Sequence, residues 1–133
     1  MDINPAQKTV LLVEDDMFLS NLLSSRLIKG GVNVIKAYDG EEAMRILLSA
    51  EKKPDLLLLD IIIPKKSGFE MMDDMRGDPL LKNVPIIIIS NLGQESDIDR
   101  AMQYGIRGYL IKAQNSIDGI TSAVKNFLDT GNL

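Results

Sequence analysis

Leu56-Leu57-Leu58-Leu59-Asp60-Ile61-Ile62-Ile63-Pro64 is the stretch that decides the fold of this chain. Four consecutive leucines show no polar alternation, so the run reads as a strand covered on both faces, the mark of a central position in a parallel sheet. Pro54 and Asp55 punctuate its start, and a carboxylate closes it. In open α/β sheets, ligands and chemistry gather at the carboxyl ends of the strands, which puts Asp60 at the reactive edge. Taken alone, an acid closing a strand is more often a turn former or helix cap. The ends of the other strands change that reading.

Outward from this run, residues 8–13 form a β-branched and leucine-rich strand that stops at Glu14-Asp15-Asp16. Leu19, Leu22, Leu23 and Leu27 share one helical face, and Gly30-Gly31 ends that helix. Residues 32–37 make a second strand, interrupted by Asn33 and Lys36 and therefore expected at an edge. Asp39-Gly40-Glu41-Glu42 has capping-box spacing and opens a helix that turns Ala43, Ile46, Leu47 and Ala50 inward. Beyond Pro64, Ser67 and Glu70 repeat the capping spacing for a helix reaching about Gly77. Residues 84–89 are a second fully apolar strand, ending on Ser90-Asn91. Residues 96–104 predict a helix with a thin apolar face of Ile98, Ala101 and Met102, the least firmly docked element. A fifth strand, 108–111, ends on Lys112. The last helix, from about 116 to 128, carries Ile117, Ile120, Val124, Phe127 and Leu128, with 129–133 expected to fray. Five strands alternating with five helices over short loops imply a doubly wound parallel sheet with right-handed crossovers.

A chain of 133 residues suits a single domain, with its core at about 8–129. Hydrophobic residues at 45% and charged ones at 26% place it among ordinary globular proteins rather than disordered chains. The net charge of -4 argues against direct contact with a phosphate backbone, so nucleic acid is not expected as a partner. No apolar run reaches membrane-spanning length, and the polar start at residues 1–7 lacks a signal peptide, which makes the cytoplasm the expected location. With no cysteine and no histidine, thiol chemistry, the commonest general base and the commonest zinc ligand are excluded. Acid–base or metal chemistry falls to carboxylates, hydroxyls and lysines.

Four strand ends carry complementary groups: Glu14, Asp15 and Asp16 on the first, Asp60 on the third, Ser90 on the fourth and Lys112 on the fifth. Acids converging in one crevice repel each other unless a cation joins them, and oxygen-only ligands select Mg2+ or Mn2+ over zinc. A divalent ion with Lys112 gives Asp60 the surroundings a transferred phosphoryl group requires, because that chemistry asks for positioning and neutralisation of its oxygens.

Leu11-Leu12-Val13-Glu14-Asp15-Asp16, Asp60-Ile61-Ile62-Ile63-Pro64 with Ser67-Gly68, Ile89-Ser90 and Tyr109-Leu110-Ile111-Lys112, in this order and spacing, resemble the receiver domain of a two-component response regulator, CheY-like. The resemblance covers about residues 8–129 and implies a flavodoxin-like fold of strand order 2-1-3-4-5. It implies that Asp60 is the phosphoacceptor, that Asp15 and Asp60 are Mg2+ ligands with the backbone carbonyl of Ile62, and that Glu14 acts through metal-bound water. Ser90 and Lys112 would each bind a phosphoryl oxygen, and Tyr109 matches the aromatic whose rotamer accompanies activation. The implied partners are a sensor histidine kinase or histidine phosphotransfer protein and a downstream protein met through the fourth helix, fifth strand and fifth helix. The chain would be a monomer or a weak, phosphorylation-dependent dimer.

Asp16 is read as the cap of the first helix rather than a metal ligand. Lys65 and Lys66 are read as solvated loop residues, and Met71, Met72 and Met75 as packing. The family commonly has proline after the strand-five lysine, in a cis peptide. Here Ala113 stands there, so the Lys112-Ala113 bond is expected to be trans, or else cis at roughly 2.5–4 kcal/mol of strain. Ile62 and Leu92 flank the water approach with apolar groups, which implies slow loss of the phosphoryl group. An aspartyl-phosphate hydrolase would want a second acid where Ile62 stands, and a flavin binder a hydroxyl- and glycine-rich loop where the acids stand. The remaining alternative is a receiver-like interaction module that acts without phosphorylation.

Overall fold

The computed structural model describes residues 3–133; Met1 and Asp2 of the polar start lie outside the described residues. Strands and helices alternate: β1 Thr9–Val13, α1 Met17–Lys29, β2 Asn33–Ala37, α2 Gly40–Ser49, β3 Leu56–Leu59, α3 Gly68–Arg76, β4 Ile86–Ser90, α4 Glu95–Met102, β5 Gly108–Ile111 and α5 Ile117–Thr130, with a 3-10 turn at Lys112–Gln114. All strand pairs are parallel, in the order β2-β1-β3-β4-β5. The four-leucine strand is central, and β2 is an edge, as the composition of each implied.

The leucine run is apolar at every position because each sheet face has its own helical cover. Leu57 and Leu59 point with Leu11, Val13, Ile86 and Ile88 toward α2, α3 and α4, where they meet Ala43, Leu47, Met71, Met72 and Met75. Leu56 and Leu58 point with Val10, Leu12, Ile87 and Ile89 toward α1 and α5, against Leu23, Leu27, Ile120, Val124 and Phe127. Successive residues serve opposite faces, so the strand's period of two is present although hydropathy does not reveal it. All four leucines are fully buried. Truncation of one to alanine is expected to cost about 2–5 kcal/mol.

Caps set the helix starts. Asp16 accepts the Leu19 amide at 3.1 Å, Asp39 that of Glu42 at 2.8 Å, and Ser67 and Glu70 form a reciprocal capping box. The return bond of Glu42 goes to the Tyr38 amide, one residue before the position a capping box uses. Gly40 is required by space: a Cβ there would lie 1.9 Å from the Lys66 carbonyl oxygen. The amide of Gly40 also donates to the Pro64 carbonyl, so α2 props the loop that follows Asp60.

Three local expectations change. Asn33 does not weaken β2: it is buried, and its side chain exchanges hydrogen bonds with the backbone of Asn4, pinning the preceding segment to the sheet. Helix α4 spans Glu95–Met102, one residue earlier at its start and two shorter at its end than the apolar pattern suggested. Ala101 is its one fully buried residue, and Met102 is exposed. Helix α5 continues through Asp129 and Thr130, because Gly131 takes the left-handed conformation (φ 80°) and its amide bonds the Phe127 carbonyl. Among the described residues, no helix is long and apolar enough to cross a membrane.

Candidate functional site

Strand register builds the site. Val13 pairs with Leu59, Leu59 with Ile88, and Ser90 with Ile111. The next residues along these strands, Glu14, Asp60 and Lys112, therefore emerge with Ser90 at one edge of the sheet. The Asp60 amide still bonds the Val13 carbonyl at 3.0 Å, and that of Glu14 the Ala37 carbonyl at 3.1 Å, so both acids sit on backbone the sheet holds in place.

Glu14, Asp15 and Asp60 each bring a carboxylate oxygen to within 4.8 Å of the others. Glu14 is 0% exposed and Asp60 4%, while Asp15 faces solvent. Lys112 Nζ lies 2.5 Å from Glu14 Oε1 and 2.7 Å from Asp60 Oδ2, bridging the two buried acids. The other oxygens accept backbone amides: Glu14 Oε2 from Asp16 at 3.1 Å, Asp60 Oδ1 from Ile62 at 3.3 Å. Burial raises the Glu14 pKa above the ordinary carboxylate value, partly opposed by Lys112 and the Asp16 amide. Burial pulls the Lys112 ammonium the other way, but Asp60 and Glu14 outweigh it and leave its pKa raised. The cluster thus sets three carboxylates against one ammonium. Excess buried negative charge is costly, and a hard divalent cation with oxygen ligands suits such a donor set.

Beside the acids, a cleft of about 320 Å³ is lined by Asp60, Ile62, Ser90, Asn91, Leu92 and Lys112. Ser90 is fully buried, and its hydroxyl accepts the Leu92 amide at 3.2 Å. The half-buried Tyr109 donates its hydroxyl to the Leu92 carbonyl. Burial raises the Tyr109 pKa, with the Ser90 hydroxyl opposing. Leu92 thereby joins Ser90 to Tyr109. The Ile62 side chain is 62% exposed at the mouth of the cleft.

The sequence-predicted site residues gather at this edge: Glu14, Asp15 and Asp60 with their carboxylates clustered, Lys112 on Glu14 and Asp60, Ser90 and Ile62 on the cleft wall, and Tyr109 one residue removed through Leu92. Asp16 caps α1. Lys65 pairs with Asp39 at 3.6 Å and Lys66 with Asp74, leaving Lys112 as the cation on the buried acids among the described residues. The Lys112-Ala113 bond is trans, since no peptide bond among the described residues is cis. What sequence reasoning missed is Asn91. Its side chain accepts the Ala113 amide at 3.1 Å and ties the loop after β4 to the one after β5. An amide beside the strand-end serine was the available signal.

The model of the response regulator receiver domain family matches residues 10–125. The transcriptional regulatory protein CpxR of Klebsiella pneumoniae is 37% identical over 106 residues, which make up 80% of this chain and 43% of that protein. The regulator RpaA of Synechocystis is 32% identical over 103 residues, 77% of this chain and 42% of that protein. The chain therefore spans less than half the length of these curated relatives. Among solved structures, the phosphorylated cyanobacterial phytochrome response regulator RcpA superposes with a TM-score of 0.83 at 28% identity, covering 96% of this chain and 97% of that one. The Mn2+-bound response regulator Rcp1 superposes with a TM-score of 0.82 at 28% identity, covering 92% and 96%. With the strand order, the acidic cluster and Lys112 in place, the chain belongs to the response regulator receiver domain family, signalling switches that pair with histidine kinases and bind Mg2+ at an acidic site.

Proposed function

We propose that Asp60 accepts a phosphoryl group from the phosphohistidine of a sensor histidine kinase or histidine phosphotransfer protein, in a Mg2+-dependent reaction. The observation that carries this reading is Lys112 Nζ at 2.7 Å from a nearly buried Asp60 that shares its site with two further carboxylates. Asp15, Asp60 and the backbone carbonyl of Ile62 would hold Mg2+ or Mn2+, with Glu14 acting through metal-bound water. When bound, the cation supplies positive charge against the phosphoryl oxygens.

In the transfer, a carboxylate oxygen of Asp60 attacks phosphorus and the P–N bond breaks, its electron pair returning to the imidazole nitrogen of the donor. Lys112 moves from the carboxylate to a phosphoryl oxygen. The Ser90 hydroxyl, which accepts the Leu92 amide, turns to donate to another phosphoryl oxygen, which disturbs Leu92 and with it the anchor of the Tyr109 hydroxyl. The surface of α4, β5 and α5 then changes its preference for a downstream protein. The phosphoryl group shifts this equilibrium only by its differential contacts with the two states. The reading places the protein in the cytoplasm as a monomer or weak phosphorylation-dependent dimer, touching proteins rather than nucleic acid or membrane.

The test is incubation with acetyl phosphate, with Mg2+ or with EDTA, read by intact mass. The wild type is expected to gain one phosphoryl group with Mg2+ only, and Asp60→Asn none. An unmodified wild type would replace this reading with that of an interaction module acting without phosphorylation.

A further inference from the structure

Helix α4 has little apolar purchase on the rest of the molecule, since it buries only Ala101 completely. Its neighbour α3 presents Phe69, Asp73 and Arg76, spaced i, i+4 and i+7 and so stacked on one stripe. Facing them, Arg100 of α4 and Tyr104 just beyond its end are again four apart. The two sets interlock. The Arg100 guanidinium lies 3.8 Å from the centre of the Phe69 ring and that of Arg76 4.2 Å from the Tyr104 ring, with the two rings 6.3 Å apart. The Tyr104 hydroxyl donates to Asp73 Oδ1 at 2.6 Å. Along the seam two guanidinium groups thus flank a pair of neighbouring rings, in the order Arg100, Phe69, Tyr104, Arg76.

We propose that this side-chain ladder is a latch: it, rather than hydrophobic burial, holds α4 against α3 and sets how readily the fourth helix is released. A helix of two turns that completely buries one alanine gains little from the hydrophobic effect, whereas the two cation–ring contacts and the hydrogen bond to a charged acceptor each add to the hold on its partner. Helix α4 is joined to the phosphoacceptor cleft by a short loop that follows Ser90 and carries Leu92, so release of the helix and rearrangement of the cleft are coupled and reciprocal. Only this coupling rests on the reading of Asp60 as phosphoacceptor; the latch stands on the α3–α4 contacts alone.

The experiment is amide hydrogen exchange on the unphosphorylated wild type and on Tyr104→Phe, Arg100→Gln and the double variant, followed by phosphorylation rates with Mg2+ and acetyl phosphate. Tyr104→Phe keeps the ring and loses only the bond to Asp73, and Arg100→Gln is a surface change, so both are expected to fold with unchanged exchange in β1 and β3. The latch requires exchange in α4 to rise about threefold in each single variant and about tenfold in the double one. Exchange in α4 within a factor of about 1.5 of wild type in the double variant would overturn it. Faster phosphorylation of the double variant supports the coupling, and an unchanged rate alongside raised α4 exchange overturns it. A wild type that takes no phosphoryl group refutes the reading of Asp60 and leaves the exchange result to decide the latch.

Discussion

Lys112→Met removes the ammonium that bridges two buried carboxylates and keeps most of its aliphatic bulk. In the wild type that ammonium lies 2.5 Å from Glu14 and 2.7 Å from Asp60, acids that are 0% and 4% exposed. Losing one partner of a buried ion pair costs about 3–5 kcal/mol; with the lysine side chain 17% exposed, about 2–3 kcal/mol is the expected share here. For a chain of this size, roughly 3–5 °C of melting temperature follows each kcal/mol, so the variant should melt about 6–15 °C lower in EDTA. Divalent cation then becomes the remaining counter-charge for the acids. Mg2+ should therefore raise the melting temperature of Lys112→Met by more than it raises that of the wild type. Scanning calorimetry of both proteins in EDTA and in saturating Mg2+ supplies the comparison. A fall of less than about 2 °C in EDTA, or a Mg2+ shift no larger than in the wild type, would refute the claim that Lys112 and the cation answer the same buried charge.

The raised pKa of Glu14 gives the wild type a stability contribution that is fully present below the unfolded value, roughly 4.3, and is lost as pH rises through the folded one. Relative to wild type, Glu14→Gln should therefore gain stability between acidic and neutral pH in urea titrations without metal; a difference independent of pH would contradict it. Gly40→Ala puts a methyl group 1.9 Å from a backbone oxygen and should cost about 1–3 kcal/mol, so a thermal melt unchanged from wild type would count against the close approach. Ile62→Asn alters an exposed position at the mouth of the cleft and should leave the melting temperature within about 2 °C, since surface changes stay within about 0.5 kcal/mol. It should shorten the lifetime of the phosphorylated protein, followed by mass after removal of the donor; an equal lifetime would sink the expectation that the apolar Ile62 slows loss of the phosphoryl group.

The central strand was legible because a parallel strand covered on both faces must be apolar at every position, and a short run with no helical period leaves few other readings. The meeting of the strand-end groups was legible as well: once strands and crossovers are placed, topology carries their carboxyl ends to one edge. Elements whose partners are distant in sequence were harder to read. Nothing local says that Asn33 will meet the backbone of Asn4, or that Arg100 will lie over Phe69, because both pairings depend on where separate segments come to rest. Met102 shared the helical face of Ile98 and Ala101 in the pattern, yet α4 ends there and leaves it exposed. Glu14 was assigned a place near the metal, but its complete burial beneath Lys112 follows from side-chain packing that hydropathy does not encode.

Where the phosphoryl group sits decides whether Asp60 is the acceptor. After exposure to Mg2+ and acetyl phosphate, borohydride reduction converts an aspartyl phosphate to homoserine, and peptide mapping then locates the converted residue. The expected result is homoserine at position 60 alone, absent when EDTA replaces Mg2+. Conversion at another acid, or none in a protein shown to be folded and to hold Mg2+, would contradict the assignment of Asp60 as the acceptor.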